Sequence, residues 1–228
     1  TKGILTRMRA VAVVHHAAGE PYLLRTSYLG IFSADETVYR VAGPGSDEVR
    51  PAGSHNHPAL ELDQASPEGP AVRGVKLAKW ATGTFAASAL TEAPEGYGVE
   101  VEAERRSTEA GEELMSVRVR NRTGFRIARG FFLDRGAVYS LGEVPAGAEK
   151  TVPGPLTKVE TGAAPRPGAA EDPLGDDRFQ REVLKAHLGA GSPGTALFTG
   201  LIDREEEDFV LDQPATLEAR ADLYVEYR

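Results

Sequence analysis

Five histidines and one dense acidic run are the residues of this chain whose types could do chemistry, and their spacing decides what each could do. His55 and His57 stand at i and i+2 in Ser54-His55-Asn56-His57-Pro58. In an extended segment that spacing can turn two imidazoles toward one ion, with His15 or His16 as a further ligand. No spacing supplies a third ligand, and a His-x-His in a polar, Gly/Pro-flanked loop is satisfied by water. No metal site and no cofactor are therefore expected. His15 and His16 are neighbours at the end of a strand pattern, so they face opposite sides and at most one can join a shared site. His187 falls on the exposed side of a helical pattern. Asp203-Arg204-Glu205-Glu206-Glu207-Asp208 offers oxygens to calcium but lacks the Asp-x-Asp-x-Asp-Gly order of a calcium loop, and it reads as a solvated hairpin connection.

Catalytic arrangements fare no better. With 34 acids, carboxylate pairs such as Glu100 and Glu102 can be nominated for glycoside hydrolysis, but these two alternate with Val99, Val101 and Ala103 as the wet face of a strand. There is no Gly-x-Ser-x-Gly elbow, Gly43-Pro44-Gly45-Ser46 lacks the Gly-Lys-Ser/Thr of a phosphate loop, and no Gly-x-Gly-x-x-Gly opens a helix. No catalytic or cofactor-binding residue is assigned, and the chain is not expected to be an enzyme. Asn121-Arg122-Thr123 has the spelling of a glycosylation sequon but sits where a turn is needed. Trp80, the one tryptophan, is expected as a core plug, and Phe131-Phe132 are expected to divide between core and edge.

The elements that would position these residues are strands. The stretch from Leu114 to Val152 alternates apolar and polar residues, with turn chemistry at Asn121 to Gly124 and Val144 to Gly147. Strand patterns run over 4–14, 21–32, 37–42, 72–80, 82–91, 97–105, 113–121, 125–134, 137–141, 148–152, 195–203, 209–212 and 215–227, and 97–105 is expected to pair with 113–121. In the last strand Leu217, Ala219, Ala221, Leu223 and Val225 should face a core, leaving Glu218 and Glu226 in water. Residues 43–70 read as a long connection holding only 59–62 as a short strand. Residues 153–173 are dense in Pro, Gly and Ala, and one helix is expected near 176–188, capped by Asp176 or Asp177 and ended by Gly189. The fold class is thus all-β: an antiparallel β-sandwich, Ig-like or jelly-roll-like, as one sandwich or two packed subdomains. The division expected is an N-terminal β subdomain over 1–70 and a C-terminal sandwich over 71–228 with an insertion at 153–190.

At 228 residues the chain can bury a core without staples, and with no cysteine it has no disulfide or thiolate chemistry. A net charge of −8 argues against nucleic acid as a partner. No run of roughly 20 apolar residues is present to cross a bilayer as a helix. The chain opens at Thr1 already near a strand and closes on one, so both ends are expected to be cut, with membrane contact only through removed flanking segments. Arg outnumbers Lys, 20 to 6, beside abundant Gly, Pro and Ala, a bias expected of a GC-rich bacterial genome.

The segment SVRVRNRTGF, followed by a hairpin and then VYSLGEVPAGAEKTV, resembles a recurring pattern in the β-rich extracytoplasmic regions of uncharacterised bacterial integral membrane proteins. In that pattern Leu141-Gly142 and Pro145-Ala146-Gly147 would mark a tight corner, and the likeness spans residues 72–228. It implies a non-catalytic extracytoplasmic sandwich of a membrane or envelope protein, periplasmic or cell-surface and tethered in the full-length protein. Such a domain would act as a scaffold or contact surface for another protein or envelope component. The alternative reading is a carbohydrate-binding module or hydrolase-associated domain with its site in the 43–70 loop, favoured if Trp80, Tyr97 or Tyr139 lined a concave surface.

Overall fold

The structure, a computed structural model, describes residues 6–52, 60–65, 69–107, 113–159, 174, 177–189, 196–204 and 207–227. The described residues form strands β1 (Thr6–Ala17), β2 (Tyr22–Ser33), β3 (Thr37–Ala42), β4 (Glu48–Pro51), β5 (Glu61–Asp63), β6 (Ala71–Leu77), β7 (Ala81–Glu92), β8 (Val99–Ser107), β9 (Glu113–Asn121), β10 (Arg126–Asp134), β11 (Ala137–Val144) and β12 (Glu149–Val152). Helix α1 (Arg178–Gly189) follows, then β13 (Ala196–Asp203), β14 (Val210–Leu211) and β15 (Thr216–Tyr227). The protein is an all-β, antiparallel sandwich type with one short helix, as the alternation predicts. Residues 43–70 hold one strand the sequence hid: Glu48–Pro51 alternates for only four residues and becomes a strand because β7 offers it a partner, Val49 opposite Ala87.

The chain forms two compact units, each drawn from three segments: 1–14, 24–91 and 205–221 in the first, and 15–23, 92–204 and 222–228 in the second. In the first unit β15, β1, β2, β7 and β4 lie side by side, and β14, β3, β6 and β5 make a second sheet. Their inner faces share one core: Leu29, Ile31, Phe85, Ala87 and Val49 from one sheet, Tyr39, Val41, Val72, Val75 and Leu77 from the other. Tyr39 enters that core with its hydroxyl satisfied by Thr6 Oγ1 and Ser33 Oγ, each at 2.8 Å.

In the second unit β11, β10, β13 and the end of β15 lie in order, and β12, β9 and β8 make the other sheet. Hairpin β8–β9 takes the predicted pairing, Val101 opposite Val119. Phe131 and Phe132 are both buried rather than divided between core and edge. Gly130 and Gly142 are paired at a bulge where the Phe198 ring comes within 3.0 Å of the position a Gly130 Cβ would take. Helix α1 is capped by Asp177, whose carboxylate accepts from the Gln180 N–H at 2.8 Å, and it buries Leu184 and Leu188.

The last strand departs from its clean alternation. Ala221, Leu223 and Val225 are buried as predicted, but Leu217 is exposed, and Asp222, Tyr224 and Glu226 on the other face are buried as well. Both faces of the second half of β15 are therefore covered, and Glu226 is not the solvated residue the alternation suggests.

Candidate functional site

Most of the acids proposed for chemistry that the structure describes are ion-paired. Glu100 and Glu102 lie on the wet face of the β12–β9–β8 sheet in an alternating-charge ladder: Glu100 with Arg120 at 3.0 Å and Arg122 at 3.1 Å, Glu102 with Arg118 at 3.5 Å, and Glu149 with Arg120 at 2.8 Å. Both nominated acids are thus members of an exposed cross-strand ladder of opposite charges, each ion-paired to arginine. In the acidic run, Asp203 pairs with Arg126 at 2.6 Å and buried Asp208 with Arg25 at 3.3 Å, while Arg204 is buried beside Asp222 at 3.7 Å. Residues 205–206 lie outside the described residues. Of the described acids of this run, Asp203 and Asp208 are thus paired with arginine.

His55 and His57 lie outside the described residues, as do 53–59 and 66–68 of the loop that contains them. Among the described residues no group of three His, Asp or Glu converges on a metal-sized position. His15 and His16 do face opposite sides: His15 Nδ1 meets the Tyr227 hydroxyl at 2.8 Å, while His16 is buried against Glu226. His187 is half-buried rather than exposed, because helix α1 turns it inward, and its Nε2 has no hydrogen-bond partner. Burial pushes the His15 imidazole below its ordinary 6.5, with the neighbouring His187 charge second, and burial does the same to His187. The unfolded chain then takes up protons first on acidification. Stability is fully present above about pH 6.5 and falls as pH drops below it. Urea midpoints at pH 7.5 and 5.5 should differ in the parent and differ less in His187→Phe; an unchanged gap would refute the assignment.

His16 sits in a buried polar cluster that no sequence pattern announced. Its Nδ1 lies 2.9 Å from Glu226 Oε1, and its Nε2 donates to the Glu20 carbonyl at 3.1 Å. Glu226 Oε2 accepts from the Val99 N–H at 2.9 Å and from the Tyr224 hydroxyl. Tyr97 sets its ring edge-on to His16 at 5.7 Å. Gly98, at φ 137°, leaves room for both groups, since a Cβ there would fall 3.1 Å from Glu226 Oε2 and 3.2 Å from the imidazole. Every strong acceptor and donor of this pair is spent inside the protein, so the cluster is structural.

The exposed chemistry lies on the outer face of β2 and β7 in the first unit. Trp80 is not a core plug: it is 66% exposed, at φ 62° in the turn closed by the Ala81 N–H to Ala78 carbonyl bond at 3.1 Å. An aromatic residue in the left-handed region is strained, and one this exposed has little burial to offset it. Its ring lies 5.9 Å from that of Phe32, and the Lys79 ammonium is 6.0 Å from its centre. Leu29, Ile31, Phe85 and Ala87 turn inward, so Leu24, Tyr28, Phe32 and Leu90 turn outward on one face. The bond from the Ala93 N–H to the Pro21 carbonyl at 2.8 Å sets the pairing, and counting along the strands from it places Leu24 opposite Leu90. Leu24, Tyr28, Trp80 and Leu90 are all exposed. Arg7 and Arg9 of the adjacent β1 share one carboxylate, Glu218, at 3.3 and 2.9 Å. In the second unit Tyr97 has its hydroxyl buried, while Tyr139 stacks on Phe132 at 6.3 Å and lines a cleft in which it is the one aromatic residue.

No protein-family model matches the chain, and no curated relative matches it. Among solved structures the chain is similar to the Fcho1 mu-homology domain of Danio rerio with bound Eps15 peptide, at 9% identity and a TM-score of 0.44, covering 99% of this chain and 94% of that one. It is similar also to the yeast delta-COP-I mu-homology domain complexed with a Dsl1 WxWxV peptide, at 9% identity and a TM-score of 0.44, covering 99% and 96%. The same yeast domain without the peptide matches at 9% identity and a TM-score of 0.42. These matches are to mu-homology domains and not to envelope domains. The expectations of an envelope scaffold, an extracytoplasmic location and a membrane tether, and with them the sugar-binding alternative, are corrected on this finding and not carried further. Among the described residues no helix is long and apolar enough to cross a membrane.

Proposed function

We propose that this chain is a protein-binding β-sandwich whose contact surface is the outer face of β2 and β7, and that it takes an extended segment of a partner protein carrying apolar and acidic side chains. The observation that carries this reading is Trp80, exposed and held in a strained backbone at the end of an apolar strip formed by Phe32, Tyr28, Leu24 and Leu90. From Leu24 to Phe32 the strip is roughly 26 Å long at about 3.3 Å per residue, enough for an extended segment of about eight residues. Charge sets the second half of the partner's chemistry. Arg7 and Arg9, which share the Glu218 carboxylate, and Lys79, whose ammonium lies by Trp80, border this face, a cationic margin on a chain of net charge −8.

Peptides selected from a displayed random library on the parent protein test this. The expected binders are acidic and apolar, and Trp80→Ala or Leu90→Ser should weaken them at least tenfold, about 1.4 kcal/mol, with the melting temperature unchanged. Selected binders that hold Trp80→Ala and Leu90→Ser as tightly as the parent would overturn the reading. Trp80→Gly separates strain from function: it should keep or raise the melting temperature, because glycine adopts φ 62° freely, and yet lose the peptide.

A further inference from the structure

The second unit holds a cleft of about 330 Å3, within the range of small-ligand sites. It is lined by the apolar side chains of Met115, Tyr139, Pro155 and Leu156 and by the charged side chains of Arg105, Asp134 and Arg135. Tyr139 is held in place by stacking on buried Phe132. Arg105 is ion-paired with Asp134, and the pair cancels its own charge. Arg135 has no ion-pair partner among the described residues, so it leaves one net positive charge in the lining of the cleft.

Arg135 is also out of place by backbone chemistry. It and Gly136 are the two residues of the β10–β11 hairpin loop, with Asp134 opposite Ala137, and their φ values are 48° and 76°. Positive φ at both positions makes a type I′ turn, whose first position favours Asn, Asp or Gly. A long charged side chain there is disfavoured in the folded state. The arginine of that turn is one of the residues lining the cleft.

We propose that this cleft binds a small amphiphilic anion, a carboxylate or phosphate head on a short apolar chain, with the Arg135 guanidinium meeting the head and Met115, Tyr139 and Leu156 packing the chain. A guanidinium fork suits either head by paired N–H donors. The apolar wall requires a tail, which excludes inorganic anions as the full ligand.

Calorimetric titration of the whole chain with octanoate, octyl phosphate, octylamine and 1-octanol, each kept below its micellar concentration, tests this and separates the two heads. Octanoate or octyl phosphate should bind, and octylamine and 1-octanol should bind at least tenfold more weakly. Arg135→Gly should weaken the anion at least tenfold while holding or raising the ligand-free melting temperature, since it relieves the turn. Leu156→Glu, at a half-exposed position, should abolish binding by placing a carboxylate against the tail. The proposal is overturned if neither anion binds, if Arg135→Gly binds as the parent does, or if octylamine or 1-octanol matches the anions.

Discussion

Glu226→Ala is expected to destabilise the protein by about 3–5 kcal/mol, a loss read as a fall in the urea midpoint at pH 7. The carboxylate is 2% exposed and His16 3%. Removing it leaves the buried His16 Nδ1 without its partner, and strips the Val99 N–H and the Tyr224 hydroxyl of their acceptor. Glu226→Gln should fall between, because an amide oxygen still accepts one of these bonds but carries no charge. The alkaline limb gives an independent reading. Burial first, then the Glu226 charge, pushes the Tyr97 phenol up to about 12 and Tyr224 also upward from 10. The unfolded tyrosines lose their protons first, so stability is fully present below about pH 10 and is lost as pH rises toward 12. Phenolate absorbance at 295 nm should therefore rise late in the parent and earlier in Glu226→Ala. A Glu226→Ala variant with the parent's midpoint and titration would show the cluster to be incidental.

Asn121→Ala should lose a similar amount, about 3–5 kcal/mol, from roughly four hydrogen bonds, two donated and two accepted, at about 1 kcal/mol each. Its Nδ2 donates toward the carbonyls of Phe125 at 2.9 Å, Pro145 at 3.0 Å and Val144 at 3.2 Å, and its Oδ1 accepts from the Thr123 N–H at 3.0 Å and hydroxyl at 2.7 Å. One fully buried side chain thereby ties the turn after β9 to the corner between β11 and β12. That corner turns at Gly142 and Gly147, both at φ near 70°. Asn121→Asp should be at least as damaging, since it sets a carboxylate against three carbonyl oxygens. Thr123→Ala, which removes a single partner, should cost about 1 kcal/mol. Burial also rules out glycan attachment to the folded protein at this sequon. An Asn121→Ala variant within 1 kcal/mol of the parent would refute this account.

Where the alternation was long, the sequence alone located the element. Strand β9 falls on 113–121 as predicted, β3 on 37–42, and the β8–β9 register follows from matching Val99, Val101 and Ala103 to Asn121, Val119 and Val117. The wet face of that sheet, with Glu100 and Glu102, was equally legible, because residues facing water alternate with those facing the core. Strand β4 was not: four residues carry too little period to separate a strand from a loop. Trp80 was misread because hydrophobicity reports what a side chain would gain by burial, and the turn geometry of Ala78 to Ala81 denies it a core to enter.

The sequence by itself determined the class of fold: strand after strand with period two, turns marked by Gly, Pro and Asn, and one helix with Asp177 at its start. These are local properties, written in neighbouring residues. What only the tertiary structure decided is which side chains meet. His16 finds Glu226 across 210 positions, Arg25 finds Asp208, and residues 205–221 join 24–91 in one unit. The apolar strip by Trp80 and the cleft by Arg135 likewise exist only once strands far apart in the chain are laid side by side. Period two tells a strand which face is apolar but not whether a second layer covers the other face, and that is why Glu226 reads as solvated in the chain and lies buried in the protein.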